Sequence, residues 1–166
     1  MIIARPLVRL LLLSLVAVLA LVGVTEAAAA PPTSASGTFT TTDASLTNPR
    51  TIGSNTIFDL TFSGTWTGTF AGTVVGHGTV LLHADGSGEG NAVDVFTGTV
   101  NGTPGTVTLN DVSRTDAGGS FRGTFSILGG TGDLANLHGA LHAVGIIRPC
   151  CPPTGPYTGT IELGGP

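Results

Sequence analysis

The stretch that decides the fold is Ile127-Leu128-Gly129-Gly130-Thr131-Gly132-Asp133-Leu134-Ala135-Asn136-Leu137-His138-Gly139. An apolar run from Phe121 to Leu128 leads into three glycines within four residues. Glycines this close together indicate a tight turn with positive φ angles, or backbone that packs too closely for a Cβ. We therefore predict that the glycines of this stretch serve a turn between two strands: Gly129, Gly130, Gly132 and Gly139.

The segment Gly130 to Ala135 also fits a variant of the dinucleotide-binding fingerprint, in which a helix after the turn holds a pyrophosphate. Here Gly139, Gly145 and the Pro149–Pro153 run interrupt any such helix. The carboxylate expected about 20 residues later, which would contact the ribose, is also missing. The sequence therefore predicts no nucleotide site, and no cofactor.

The 166 residues provide one domain and a leader. Residues 1–30 have a short basic start, an apolar run from Leu10 to Val24 and an alanine-rich end, the plan of a secretory signal peptide. An uncleaved anchor is the alternative, but the apolar run is shorter than the roughly 20 residues that span a bilayer. We expect residues 1–30 to be removed, residues 31–36 to form a short linker, and residues 37–164 to form one domain of a secreted protein.

The chain after Ala30 carries four arginines, no lysine and nine carboxylates, for a net charge of −5. An acidic chain without lysine is poorly suited to a phosphate backbone or an anionic membrane surface. We therefore expect neither nucleic acid nor membrane as a partner of the mature protein. A P-loop is excluded because it requires a lysine.

Short runs in which Thr, Val and Phe alternate, with Gly between them, are typical of an antiparallel sandwich or barrel. About eight strands are predicted, and eight can close into a barrel whose interior holds side chains or one small ligand. The strands are predicted near residues 37–42, 56–63, 64–70 with 73–83 as a long or bent pair, 90–98, 105–112, 119–128, 137–147 and 157–163.

Every predicted strand is apolar on one face and rich in threonine on the other. In the segment from Phe58 to Trp66, for example, the even-numbered residues Phe58, Leu60 and Phe62 share the apolar face. Five aromatic residues are the candidates to contact a ligand in the barrel: Phe58, Trp66, Phe96, Phe121 and Phe125.

Asp94 and Asp111 fall on apolar faces, Asp94 with Phe96 and Asp111 with Leu109. A carboxylate so placed either points into the lumen or lies in water at a strand end. Burial would raise its pKa and make it a candidate acid or base. Asp94 and Asp111, with Tyr157 nearby, are the catalytic candidates. The G-x-S-x-G motif that presents a nucleophilic serine is absent from the sequence, so the sequence does not support a hydrolytic triad.

Two sequence patterns could bind metals, but each has a simpler explanation. The run from Asp85 to Gly90 resembles the start of a calcium loop, but Phe96 stands where the bidentate acid belongs. A hairpin turn explains it better. The four histidines, His77, His83, His138 and His142, could pair on strand faces. His138 and His142 lie opposite the apolar residues, so we interpret them as solvated and predict no metal site.

Cys150 and Cys151 are the only cysteines and are adjacent. Neighbouring Cα atoms lie about 3.8 Å apart, below the usual disulfide range of about 4.4–6.8 Å. A bond between them would be strained. The pair could therefore form a vicinal disulfide, bond to another chain or stay reduced.

The turn resembles the G-G-[ST]-G-x-[FL]-x-x-x-x-G element of the dirigent and allene oxide cyclase barrels. The opening Gly37-Thr38-Phe39 and the mid-chain Phe96-Thr97-Gly98-Thr99-Val100-Asn101-Gly102 resemble the same superfamily. The pattern is most similar to a bacterial branch whose members are mostly uncharacterised, and it covers nearly the whole chain after residue 36. The resemblance implies an allene oxide cyclase-like or dirigent-like barrel.

Relatives of that barrel guide radical coupling, cyclise an allene oxide or eliminate water, using acidic and arginine side chains of the lumen. Here Arg122 is predicted to face outward, and Arg50, Arg114 and Arg148 to lie in loops, so no catalytic residue is carried over. Two hypotheses follow: an exported binding or structural barrel with an apolar lumen, or a cyclase or isomerase acting on a small apolar substrate. Oligomers are compatible with either.

Overall fold

The computed structural model describes residues 31–148 and 151–164. Eight antiparallel strands, each paired with the next, form a barrel that closes where β1 pairs with β8. Their bounds are β1 Thr33–Ile52, β2 Asn55–Gly68, β3 Phe70–Leu82, β4 Gly88–Val100, β5 Thr103–Thr115, β6 Ser120–Gly130, β7 Leu137–Arg148 and β8 Cys151–Leu163. The predicted all-β fold of about eight strands is confirmed.

The alternation of apolar and polar residues places one face of each strand in the barrel, because successive side chains of a strand point to opposite sides. In β4, Ala92, Asp94 and Phe96 are buried while Val93 and Val95 between them are exposed. The predicted outward faces follow the same rule: Arg122, His138 and His142 are exposed.

Several strands are longer than predicted. β1 begins at Thr33, inside the segment predicted as a linker, because Thr33 already pairs with Ile161 of β8. The predicted strands 56–63 and 64–70 form the single strand β2. The prediction that Arg50, Arg114 and Arg148 lie in loops is wrong, since they fall in β1, β5 and β7. Most hairpins pair up to their turns, whereas the pairing of β6 with β7 ends at Ser126 and Ala140, before the Gly-rich turn.

The Gly-rich turn joins β6 to β7 through one turn of 3-10 helix, Gly132–Leu134. Gly129, Gly132 and Gly139 have φ angles of 146°, 59° and 133°, which confirms the predicted positive φ. Gly130 is required for another reason: a Cβ there would lie 2.8 Å from the Thr106 carbonyl oxygen. Leu134 at the end of this turn is 1 % exposed and covers one end of the barrel.

At the other end of the barrel, the C-terminal half of β1 extends past β8, while β2 stays paired with β3 along its length. β1 pairs with β8 only as far as Thr40, so its remaining residues have β2 alone as a partner. The tip of the β1–β2 hairpin carries an ion pair of 2.7 Å between Arg50 and Asp59. Leu46 of this hairpin is half exposed. In residues 31–148 and 151–164, no helix is long and apolar enough to cross a membrane.

Candidate functional site: a half-open lumen

The inside of the barrel consists of two unlike halves. The half next to the Gly-rich turn, which we call the filled half, is packed with aromatic rings. The half towards the β1–β2 hairpin, which we call the open half, contains a cavity of about 560 Å³. Trp66 and Phe125 lie at the boundary, since they belong to the aromatic cluster and also line the cavity.

The filled half is an edge-to-face aromatic cluster. The ring centroids of Trp66 and Phe125 lie 5.3 Å apart, and those of Phe70 and Phe96 also 5.3 Å. Tyr157 packs 5.0 Å from Trp66, and its hydroxyl accepts a hydrogen bond from the Phe70 amide (2.9 Å) and donates one to the Thr67 carbonyl (3.0 Å). Such pairs contribute beyond their buried area. This half is a packed core that supports the floor of the cavity.

The walls of the open half are mostly apolar, with small residues on β4 and β5. Gly88 and Gly90 of β4 present no side chain to it, and Ser113 of β5 faces the space that a Cβ on Gly90 would occupy. The large apolar side chains that line it are Phe39, Leu46, Leu60, Phe62, Val80, Leu82 and Phe121.

Asp94 lies on the cavity wall, one inward position along β4 from Phe96. It is 0 % exposed, and neither carboxylate oxygen has a hydrogen-bond partner in the described part of the chain. Gly76, the directly opposite residue of β3, has no side chain and so leaves space for the side chain of Asp94. A Cβ on Gly76 would collide with the Asp94 carboxylate and with the ring of Phe62. The glycine therefore allows a carboxylate and an aromatic ring to share this part of the wall.

Asp111 lies on the adjacent strand and is 6 % exposed, with its Oδ1 atom unpartnered. Asp94 pairs with Leu109 and Ala92 with Asp111, so the two aspartates are diagonal neighbours on one face. In that arrangement their Cβ atoms lie within about 7–8 Å. The barrel therefore brings together two carboxyl groups that the sequence separates by 17 residues.

Both carboxyl groups have pKa values raised above the ordinary value of an aspartate. Burial raises the pKa of Asp94 to about 8, with a smaller contribution from the charge of Asp111. Burial also raises the pKa of Asp111 to about 7. Asp111 thus ionises first, and its charge then opposes ionisation of Asp94. Near pH 7 Asp111 is about half ionised and Asp94 is mostly protonated, so the pair carries well under one negative charge on average.

The entrance of the cavity is also acidic. Glu89 and Asp116 lie at its rim, and no histidine, arginine or lysine is among the described residues that line it. Asp116 is held by the amides of Gly118 and Ser120, both at 2.9 Å, which lower its pKa. Asp116 is therefore ionised throughout the neutral range.

The chain matches, over residues 35–145, a family model described as "Protein of unknown function (DUF3224)". The chain belongs to the DUF3224 family. A crystal structure of a protein of unknown function from this family, from Shewanella oneidensis MR-1, is similar in fold, with a TM-score of 0.60 and 19 % sequence identity. The match covers 82 % of this chain and all of that one. No curated protein matches the chain.

In this DUF3224 protein the predicted ligand-contacting aromatics separate into three groups. Trp66, Phe121 and Phe125 line the cavity. Phe96 is fully buried in the aromatic cluster beneath it, 6.3 Å from Trp66. Phe58 is half-buried on β2 and does not line the cavity. Of the catalytic candidates, Asp94 and Asp111 face the cavity, whereas the Tyr157 hydroxyl is engaged in the filled half.

Sequence reasoning passed over several cavity residues of the DUF3224 protein. Leu60 and Phe62 were assigned to the apolar face of their strand, and that alternation alone could have added them to the ligand candidates. Phe39 belongs to the Gly37-Thr38-Phe39 opening and is 5 % exposed. No sequence signal marks Leu46, because its position depends on how far the β1–β2 hairpin continues.

Within the described residues, the metal candidates do not add to this site. In residues 31–148 and 151–164, no group of three His, Cys, Asp or Glu side chains could hold a metal ion. Asp85 accepts hydrogen bonds from the amide and hydroxyl of Ser87, at 2.9 and 2.7 Å, as a hairpin turn requires. Cys150 and the side chain of Cys151 lie outside the described residues. The predicted signal peptide, residues 1–30, also lies outside them.

Proposed function

We propose that this DUF3224 barrel binds one small, mostly apolar molecule in the open half of its lumen. The observation that carries the proposal is an apolar cavity of about 560 Å³ that contains two buried, unpartnered carboxyl groups. Ligand sites in proteins typically have volumes of about 300–1,000 Å³ and combine apolar walls with a few polar groups. The cavity has this composition.

A purely structural barrel is the less favoured interpretation. Protein interiors are normally close-packed, and the filled half shows that this barrel can reach that state. Buried carboxyl groups without partners lower stability, so a barrel selected only for stability would replace them. The glycines and Ser113 on the wall of the open half keep a volume open that larger side chains could fill.

An enzymatic function is the second candidate, and the pair of carboxyl groups is the observation that favours it. Near neutral pH Asp94 is mostly protonated and Asp111 is close to half ionised. One group could donate a proton to a bound molecule while the other accepts one, which is the arrangement of general acid–base catalysis. The resemblance of the Gly-rich turn to allene oxide cyclase and dirigent barrels supports a cyclase or isomerase of this kind.

We also propose that the barrel functions outside the cytoplasm, since residues 1–30 have the composition of a secretory signal peptide. The mature protein then begins near Pro31. N-terminal sequencing of the protein recovered from the medium or periplasm tests this. Recovery of a membrane-bound form that retains Met1 would contradict it.

Trp66 supplies a direct test of ligand binding, because it is the chain's only tryptophan and lines the cavity. We expect native mass spectrometry of the protein as purified to show an added small-molecule mass. Extraction of that molecule should change Trp66 fluorescence, and adding it back should restore the original spectrum. An unliganded protein whose fluorescence no apolar compound alters would overturn the proposal.

Ser113 and Val112 provide matched variants for the same test. Ser113→Phe places a ring in the cavity, whereas Val112→Phe places it on the outer face of the same strand. We expect Ser113→Phe to abolish ligand retention and Val112→Phe to leave it unchanged, with thermal melts showing that both variants fold. Equal retention by both would place the ligand outside the cavity.

A further inference from the structure

We propose that the ligand of the lumen is an amine with an apolar body, whose cationic nitrogen binds between Asp94 and Asp111. This inference rests on the proposed binding function and specifies its ligand class. It is based on three features of the open half: the unpartnered carboxylate oxygens, the sign of every charge along the cavity, and the shape of the wall at Gly76.

The buried carboxylate oxygens accept no hydrogen bond within the described residues, and a ligand could supply the missing donors. Both oxygens of Asp94 and Oδ1 of Asp111 have no partner in the described part of the chain, although both residues are more than nine-tenths buried. Hydrogen bonds between an ammonium group and a carboxylate are about twice as strong as those between neutral groups. A ligand with N–H donors would therefore satisfy these oxygens best.

Charge along the cavity has one sign only. Asp94 and Asp111 lie inside, Glu89 and Asp116 lie at the rim, and the described lining includes no basic side chain. The partial neutralisation of Glu89 comes from Arg114, at 3.6 Å on the outer surface. Arg122 also lies close enough to Asp116 to interact with its charge. The attraction for a cation, and the repulsion of an anion, therefore come chiefly from the carboxyl groups inside the cavity, which have no basic partner in the described lining.

A metal ion fits this site less well than an organic cation. Hard divalent cations require six or more oxygen ligands, and the described residues contain no group of three acidic, histidine or cysteine side chains. Most of the rest of the wall is apolar, and the ring of Phe62 lies close to the Asp94 carboxylate. The wall therefore matches a molecule with one cationic end and a hydrocarbon or aromatic remainder.

Gly76 shows that the carboxyl group of Asp94 is held in a defined place. Any side chain at Gly76 would collide with the Asp94 carboxylate and with Phe62. The glycine thus keeps Asp94 and an aromatic ring adjacent, and an aromatic face next to a carboxylate is favourable for an ammonium group. Binding of a cation would lower the pKa of both aspartates, so protons would be released on binding.

The test uses three compounds with the same apolar body and different heads: phenylbutylamine, phenylbutanol and phenylbutanoate. Their binding to the purified protein, freed of endogenous ligand, is measured by Trp66 fluorescence at about pH 8.5, where both aspartates are largely ionised. We expect the amine to bind at least about tenfold more tightly than the alcohol, and the acid to bind most weakly. The affinity for the amine should rise from about pH 6 to 8.5, while that for the alcohol stays constant.

Variants assign the preference to the carboxyl pair. Asp94→Asn with Asp111→Asn should remove the preference for the amine and retain binding of the alcohol. Asp133→Asn, which removes an exposed carboxylate next to the Gly-rich turn, is the matched control and should change nothing. If the double variant does not fold, either single variant and the three-compound comparison on the unaltered protein decide the question.

The outcomes separate this inference from the function on which it rests. Equal binding of amine and alcohol, or tightest binding of the acid, would overturn the amine inference and leave a lumen that binds apolar molecules. Failure of all three compounds, together with no ligand in the protein as purified, would overturn both. A preference for the amine that persists in the double variant would place the cation away from the aspartates.

Discussion

The two halves of the lumen are built from the same eight strands but differ in how space is filled and in whether buried polar groups have partners. In the filled half, aromatic rings occupy the interior, and the one buried hydroxyl, that of Tyr157, has two backbone partners within 3.0 Å. In the open half, glycine and serine leave space, and the carboxylates of Asp94 and Asp111 lack partners. The buried polar groups of one half have partners within the protein, whereas the buried carboxyl groups of the other half have none in the described residues.

This difference separates a half that stabilises the barrel from a half that contains the proposed binding site. Packing in the filled half offsets the cost of a cavity and two buried acids in the open half. Functional sites commonly depart from the local rules of stability in this way. If the comparison is correct, substitutions in the two halves should have unequal effects on stability and ligand binding.

The largest expected effect is the loss of a ring from the filled half. Phe70 is fully buried and packs edge-to-face against Trp66 and Phe96. Phe70→Ala should lower the free energy of unfolding by about 3–5 kcal/mol, because it removes apolar contact and leaves a void. Phe121→Ala, in the partly exposed wall of the open half, should lower it by only about 1–2 kcal/mol. Denaturant melts of both variants measure the contrast, and equal losses would break the comparison.

The second effect is a stability that decreases as pH rises. Asp94 and Asp111 have folded-state pKa values of about 8 and about 7, above the value of 3.8 for an exposed carboxyl. The unfolded chain therefore binds fewer protons than the native barrel between these values, so the stability contributed by the neutral acids is complete below about pH 4 and is lost up to about pH 8. We expect a loss on the order of 3 kcal/mol between about pH 6 and 7.5.

Asp94→Asn isolates the source of that pH dependence. The amide is similar in shape and cannot ionise, so the variant should be more stable than the original protein at about pH 8 and should show a flatter profile. The equivalent change at Asp85, which is exposed at a hairpin turn, serves as the control. A parallel pH profile in the original protein and in Asp94→Asn would show that the carboxyl group of Asp94 is not buried as described.

A third effect concerns the satisfied hydroxyl of the filled half. Tyr157→Phe leaves the ring in place but leaves the Phe70 amide and the Thr67 carbonyl without that partner. Because an unsatisfied buried group costs about 1–3 kcal/mol, we expect a destabilisation in this range and unchanged ligand affinity. Loss of ligand binding without loss of stability would instead give Tyr157 a role in the lumen.

The smallest effect is expected at the Gly-rich turn. Gly132 has a φ of 59° and no neighbouring atom within reach of a Cβ, so only backbone strain opposes a side chain there. Gly132→Val should lower the free energy of unfolding by about 1–2 kcal/mol, and Gly132→Asn by less, since asparagine tolerates this region. Thermal melts check the order of the two variants. An unchanged melting temperature together with loss of a bound nucleotide would support the dinucleotide fingerprint instead.

The carboxyl pair shows how far the sequence could predict the site. Alternation along β4 and β5 placed Asp94 and Asp111 on apolar faces, because side-chain direction in a strand has a period of two. The same rule predicted the outward histidines and Arg122. It could not predict that the two carboxyl groups are diagonal neighbours, because that depends on the register between β4 and β5.

What the sequence alone determined is the class of the fold, the inward and outward face of each strand, and the turn geometry of Gly129 and Gly132. These follow from local chemistry, namely side-chain alternation and the backbone angles that only glycine adopts easily. The tertiary structure decided which inward side chains fill space and which border a cavity. Phe96 and Phe121 both point inward, but one lies in a packed core and the other in a cavity wall, because closure of the barrel and the registers between its strands set which inward side chains meet across the lumen.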